Sequence, residues 1–277
     1  MGSGRWRPMP TDDGSWTLIG PDHAEACHSR SGAWSESLVR YARACGLDEH
    51  GPGCGPAHLL DIGTGVGWNI AAALAALEDA AAAAGEDGRP APLEVTTLER
   101  DPCVFDVAMA LAGEEVTDRP ELARAKGLLR EVLRTLSRAR EVPGERIPFH
   151  PAGRGGLRLL LGDARRSIRD VPPVPRFDAV FLDPFSPRRA PELWSEAFLA
   201  ELARRMASGS MLSTYSASFR VRLGLHRVGL RVGLGPAFGA KREGTLASPD
   251  LVLPPLPERV AVRLSGSSSG ASQEPLE

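Results

Sequence analysis

Apolar and polar positions alternate between two regimes along this chain. Short apolar runs recur at Ala57–Ile62, Leu93–Leu98, Leu157–Leu161, Phe177–Leu182 and Ser210–Tyr215, and Gly, Asp or Glu stands at or just past the end of most of them. Runs of that length predict strands. Between them lie stretches of helical length: Ser31–Gly46, closing on a glycine cap, Trp68–Ala84, a helix opened by Asp101-Pro102, Glu192–Met206 and Val221–Val228. Two further short strands are expected near Leu230–Gly235 and Gly244–Ser248. Strands alternating with helices predict an α/β fold built on a doubly wound, mostly parallel, seven-stranded sheet. Thr117–Glu141 is helical with no strand attached; it reads as part of a helical insertion near 103–150, or as a helix lying on one sheet face. Residues 1–12 are polar and rich in Gly and Pro, and Leu264–Glu277 is rich in Ser and Gly. Both are expected to be disordered, which leaves one domain over 13–262 and a tail over 263–277.

The first strand runs straight into Asp61-Ile-Gly-Thr-Gly-Val-Gly67, and an alanine-rich helix follows at once. Strand, glycine turn, helix is the layout of a nucleotide-cofactor loop, where glycine lets the backbone turn and a ligand approach. A dinucleotide fingerprint, G-x-G-x-x-G, needs glycine at 68, where Trp68 stands. The D-x-G-x-G-x-G form is instead that of the Rossmann-like, class I methyltransferases that use S-adenosyl-L-methionine. A glycine-rich turn without a ligand is the alternative.

Composition adds a charge asymmetry. The chain of 277 residues has a formal net charge of −2, yet residues 1–150 carry −8 and residues 151–242 carry +9. One face therefore suits a polyanion, unless the arginines are simply spread over solvated helices. Only Lys126 and Lys241 among the 33 basic residues are lysines, a bias that composition drift also produces. The four cysteines form no CxxC pair and no Cys/His cluster has metal-ligand spacing, so free thiols and no metal are expected. No signal-peptide pattern opens the chain, and the longest apolar stretch, around Ile70–Ala84, is broken by Glu78 and Asp79. A cytoplasmic protein with no membrane partner is expected; the pattern does not set an oligomeric state.

In open α/β sheets ligands bind beyond the carboxyl ends of the strands, so polar residues there carry the chemistry. Strand two ends in Glu99, placed to accept ribose hydroxyls, and strand three in Gly162-Asp163-Ala164, placed to meet an adenine amino group. Strand four ends in Asp183-Pro-Phe-Ser-Pro187. Any one of these acids alone is as readily a solvated strand end or a helix cap. Asp183 is the candidate catalytic residue. An acceptor amine with a lysine-like pKa is neutral in fewer than roughly one molecule in a thousand at neutral pH, and a carboxylate can orient it and take its proton. Phe185 offers an apolar wall near a cationic sulfonium.

Leu182-Asp-Pro-Phe-Ser-Pro-Arg-Arg-Ala-Pro-Glu-Leu-Trp194 resembles the signature of the MnmC-like tRNA methyltransferases. Leu160–Arg165, Ser213–Ser218, Gly239–Thr245, Asp13–Leu18, Glu25–Ser29 and Glu36 also resemble that family, with Cys27 where a tyrosine is more usual. The resemblance implies methylation of an aminomethyl group on the tRNA wobble uridine, giving 5-methylaminomethyl-uridine, often 2-thiolated. It implies S-adenosyl-L-methionine held by Asp61, Gly63, Gly65, Gly67, Glu99, Asp163, Ala164 and Glu36. It implies tRNA met by Phe185, Arg188, Arg189, Trp194, Lys241 and Arg242. Trp194 also reads as a core aromatic, Lys241 and Arg242 as a strand turn, and Glu36 as a solvated helix residue. Longer members add a domain dependent on flavin adenine dinucleotide; no second glycine fingerprint occurs here, so the monofunctional form is expected. Two rival readings remain: methylation of another amine, on a small molecule or a nucleobase, and a protein that binds the cofactor or RNA without catalysis.

Overall fold

The computed structural model describes residues 5–268 apart from 23, 86–87, 115–117, 151–152, 173, 175 and 240–242. In chain order the elements are β1 (Arg7–Pro10), β2 (Trp16–Ile19), α1 (Ala33–Glu36), β3 (Ala57–Ile62), α2 (Trp68–Ala83), β4 (Leu93–Glu99), α3 (Cys103–Glu114) and α4 (Pro120–Glu141). There follow β5 (Arg146–Pro148), β6 (Gly155–Leu161), α5 (Ala164–Ser167), β7 (Phe177–Leu182), α6 (Glu196–Ala203), β8 (Met206–Thr214), α7 (Phe219–Arg227), β9 (Arg231–Gly235), β10 (Gly244–Ser248) and α8 (Glu258–Ser268). Helix α1 widens without a break into a π-helical segment, Ser37–Arg43.

The central sheet has the order β5-β6-β4-β3-β7-β8-β10-β9. Strands β6, β4, β3, β7 and β8 run parallel, while β10, β9 and β5 are antiparallel to their neighbours. The seven expected strands are all present, and Arg146–Pro148 adds an eighth at one edge. Connections leave β3 toward β4 on one side, and the chain returns to β7 on the other. The carboxyl ends of β3 and β7 therefore flank the point where winding reverses, which is where such sheets bind ligands.

Alternation along the strands builds two cores. Leu59, Val95, Leu157, Leu159 and Phe181 face one side with α2 and α4; Leu60, Ile62, Leu98, Val180 and Leu182 face the other with α6 and α7. Helix α2 is buried almost all round, and its alanines permit close approach of its neighbours. Helix α4 is amphipathic and buries Leu122, Ala125, Leu129, Val132, Leu136 and Ala139 at helical spacing. It lies on the sheet face against α2, α3 and β6, which decides between the two readings of that segment.

Three expectations need correction. Residues 7–10 are not disordered: they pair antiparallel with β2, in register Arg7 to Ile19. The turn between them is held by Asp13, whose Oδ1 accepts from Ser15 N at 2.9 Å and whose Oδ2 accepts from Ser35 N at 2.9 Å. Residues 263–268 belong to α8, where Leu264 is buried and the Arg263 guanidinium sits 4.0 Å over the Phe219 ring; 269–277 lie outside the described residues. The helix expected over Glu192–Met206 is split at Ser195, whose hydroxyl caps α6 by accepting from Phe198 N.

Candidate active site

The glycine loop after β3 packs directly on the loop after β7. A Cβ at Gly63 would come within 2.9 Å of the Asp183 carbonyl oxygen, so only glycine lets the two strand ends approach so closely. Gly67 has a different duty. A Cβ there would point at Val132, Leu129 and Leu136 of α4, so this glycine seats the loop on a helix. Asp61 is fully buried below the loop, and its Oδ2 accepts from the Thr97 hydroxyl at 2.7 Å. Burial pushes its carboxyl up to about 7. Asp61 and Gly67, expected among the cofactor residues, do not line the cavity: Asp61 is buried on Thr97 and Gly67 packs on α4.

A cavity of about 440 Å³ opens at the reversal point. Gly63, Gly65 and Glu99 form its floor, with Asp163 and Ala164 at the β6 end and Asp183, Phe185 and Glu36 at the β7 end. Glu99 braces the glycine loop: its Oε2 accepts from Gly65 N at 2.9 Å, and its Oε1 from Arg100 N and Asp101 N at 2.8 and 2.9 Å. Burial raises its proton affinity, and these three N–H groups oppose that rise. Asp163 caps α5 and pairs with Arg165, which holds its carboxyl below the ordinary value. Side chains of Ile62, Leu98 and Leu193 supply apolar wall.

Asp183 is gripped on both oxygens. The Tyr41 hydroxyl donates to Oδ1 at 2.5 Å and Asn69 Nδ2 donates to Oδ2 at 2.8 Å. Burial drives the Asp183 carboxyl well above its ordinary value, and the Glu36 charge adds to this, while the two donors pull it back. Glu36 itself is buried, accepts from Ser29 N at 2.6 Å, and lies 3.4 Å from Nε of the fully buried Arg40. Tyr41 and Arg40 sit in the π-helical segment; such segments recur at functional sites. His28 also lines the cavity, and burial lowers its pKa to about 4, so it is neutral there. Tyr215 donates from its hydroxyl to Pro184 O at 2.9 Å and fixes the loop that carries Asp183. Glu25 does the same from the N-terminal arm, its Oε2 accepting from Ser186 N and Oγ at 3.2 and 3.0 Å.

The remaining candidates among the described residues do not line the cavity. Trp194 is core: it is buried, its Nε1 donates to Phe185 O at 2.9 Å, and its ring meets Tyr215 edge-on. Arg188 and Arg189 are exposed on the loop after β7, beyond the cavity mouth. Lys241 and Arg242 lie outside the described residues. Sequence reasoning assigned no role to Tyr41, Asn69, Tyr215, Glu25 or Trp6. One signal was available: the chain has two tyrosines and a single asparagine, and all three hold Asp183 or its loop.

The cavity fits S-adenosyl-L-methionine by its chemistry. Its volume is that of a small-molecule site, and Glu99, Glu36 and Asp183 bring to its wall the carboxylates that a ribose diol and a sulfonium call for. A family model described as S-adenosyl-L-methionine-dependent methyltransferase matches residues 112–250. The chain is 32% identical over 274 residues to the tRNA 5-methylaminomethyl-2-thiouridine biosynthesis bifunctional protein MnmC of Ralstonia nicotianae, covering 96% of this chain and 39% of that protein. It is 36% identical over 194 residues to the protein of the same name from Pseudomonas aeruginosa strain UCBPP-PA14, covering 68% of this chain and 27% of that one. The chain thus spans about two fifths or less of the length of these curated relatives. The crystal structure of MNMC2 from Aquifex aeolicus superposes with a TM-score of 0.73 at 31% identity, covering 95% of this chain and 76% of that one.

Proposed function

The chain belongs to the S-adenosyl-L-methionine-dependent methyltransferases, in the family of MnmC, and from that premise we propose that it methylates the aminomethyl group of a tRNA wobble uridine, giving methylaminomethyl-uridine. The observation that carries this reading is the Asp183 carboxylate at the cavity wall, held on both oxygens by Tyr41 and Asn69 and surrounded by Glu36 and Glu25. An anionic pocket end of this kind selects a cationic acceptor, and an alkylammonium is one.

Bound S-adenosyl-L-methionine supplies an electrophilic methyl group on a sulfonium that becomes a neutral thioether when the C–S bond breaks. The rest falls to the protein. Asp183 pairs with the incoming ammonium and aims it into the cavity. The high proton affinity that burial gives Asp183 lets it first take one of the ammonium's protons, which leaves the nitrogen the lone pair that forms the C–N bond. As donors to its two oxygens, Tyr41 and Asn69 favour the ionised form of Asp183, the form that can act as base, against the burial that raises its proton affinity. Tyr215 and Glu25 keep the Pro184–Ser186 backbone in place while the acceptor enters.

A single experiment separates this from its rivals. Purified protein is incubated with methyl-labelled S-adenosyl-L-methionine and, in turn, undermodified total tRNA, free alkylamines and DNA. Label entering tRNA, and lost by about 10²-fold or more in Asp183→Asn with S-adenosylhomocysteine binding retained, is the expected result. Digestion of the labelled tRNA to nucleosides then locates the methyl group. Label in amines or DNA but not in tRNA moves the acceptor; label nowhere removes the catalytic reading.

A further inference from the structure

Trp6 lies in the segment before β1, outside every motif singled out in the sequence, yet its side chain lines the same cavity as Asp183. Its ring faces that of Phe185 at a centroid distance of 6.4 Å and an interplanar angle of 20°. Each ring is anchored. Trp6 Nε1 donates to Asp101 Oδ2 at 2.8 Å, just past the end of β4. Phe185 is pressed against Gly20, where an added Cβ would come within 2.7 Å of its ring, and its carbonyl accepts from Trp194 Nε1. The pair therefore joins the N-terminal arm to the catalytic loop across the cavity, two residues from Asp183.

A flat heteroaromatic ring sandwiched between two others needs about 7 Å from ring to ring, two contacts of about 3.5 Å each. The Trp6–Phe185 centroid separation of 6.4 Å is an upper bound on the gap between the ring planes, so the rings must part by about 0.6 Å or more to admit a base. Trp6 is tethered at the β4 end, where Leu98 and Glu99 also line the cavity, and Asp163 and Ala164 line it at the β6 end. We propose that Trp6 and Phe185 form a slot that grips the pyrimidine base bearing the acceptor amine, with Trp6 as the specificity residue. A base held there projects a short C5 substituent toward Asp183. Stacking is tolerant of base identity, so the slot selects a nucleotide over a free amine, and Asp183 selects the aminomethyl group. The inference rests on the acceptor being a tRNA base.

The test compares wild type, Trp6→Ala and Trp6→Phe for methyl transfer to tRNA, with S-adenosylhomocysteine affinity by calorimetry and a thermal melt as folding controls. Trp6→Ala is expected to lose roughly 5- to 150-fold in kcat/KM for tRNA, the range of one base–aromatic stack, chiefly through KM. Trp6→Phe, which keeps a ring, falls in between, and cofactor affinity stays near wild type in both. Wild type and Trp6→Ala methylating tRNA equally well overturns the slot and leaves the tRNA reading standing. A Trp6→Ala loss confined to S-adenosylhomocysteine affinity assigns the ring to the cofactor and also overturns it. A wild-type protein inactive on tRNA overturns the tRNA reading, and the slot with it.

Discussion

Replacing Tyr41 by phenylalanine removes one oxygen and little else. The ring stays packed against Phe181, 5.5 Å between centroids, but the hydroxyl that donates to Asp183 Oδ1 at 2.5 Å is gone. A hydrogen bond to a charged group contributes about 1.5–3 kcal/mol. At about 1.36 kcal/mol for each pH unit, its loss moves the Asp183 titration by about one to two pH units. The sign follows from which form the bond serves. Tyr41 donates to the carboxylate, so without it the ionised form is less stable and the proton affinity, already raised by burial, rises further. The acid limb of the pH–rate profile therefore moves to higher pH. At a fixed pH below that limb, turnover falls about tenfold for each pH unit the limb has moved. Asn69 still holds Oδ2, so orientation is weakened and not abolished. The assay is single-turnover methyl transfer followed across the acid limb in both proteins, with S-adenosylhomocysteine affinity measured alongside. A purely structural role for Tyr41 predicts weakened cofactor binding or a lower melting temperature. An acid limb within about 0.3 pH unit of wild type at unchanged turnover refutes the coupling between these two groups.

Two further outcomes are expected. Gly65→Val places a branched side chain at a backbone φ of 51° on the cavity floor, and S-adenosylhomocysteine binding should vanish while the protein still melts cooperatively; retained affinity would show that the cofactor lies elsewhere. Arg188→Glu with Arg189→Glu should weaken tRNA binding and flatten the slope of log affinity against log salt by about 0.7–0.9 for each phosphate no longer engaged, with cofactor affinity unchanged; an unaltered slope would place tRNA docking on another face.

The sheet was legible in the sequence because strand periodicity and glycine turns are local signals. Ala57–Ile62, Phe177–Leu182 and Gly244–Ser248 were read to the residue, and the glycine loop, Glu99, Asp163 and Asp183 fell at consecutive strand ends. What a strand end faces is local too, since a parallel sheet puts all its carboxyl ends on one side. The sequence by itself thus determined the fold class and put these acids at the carboxyl ends of the strands, on one side of the sheet. Partners across long loops are not local. Asp183 meets Tyr41 and Asn69 at sequence separations of 142 and 114, and Phe185 meets Trp6 across a still longer interval, so no periodicity connects them. Nor could spacing tell a glycine that admits a ligand from Gly67, which admits a helix, or an acid that faces the cavity from Asp61, which lies beneath it. Those distinctions depend on how the N-terminal arm, the π-helical segment and α4 close over the strand ends, and burial by distant segments is set only when the chain has folded. The same closure gives Asp183 its proton affinity: the residue type was in the sequence, but the desolvation that raises that affinity belongs to the tertiary structure.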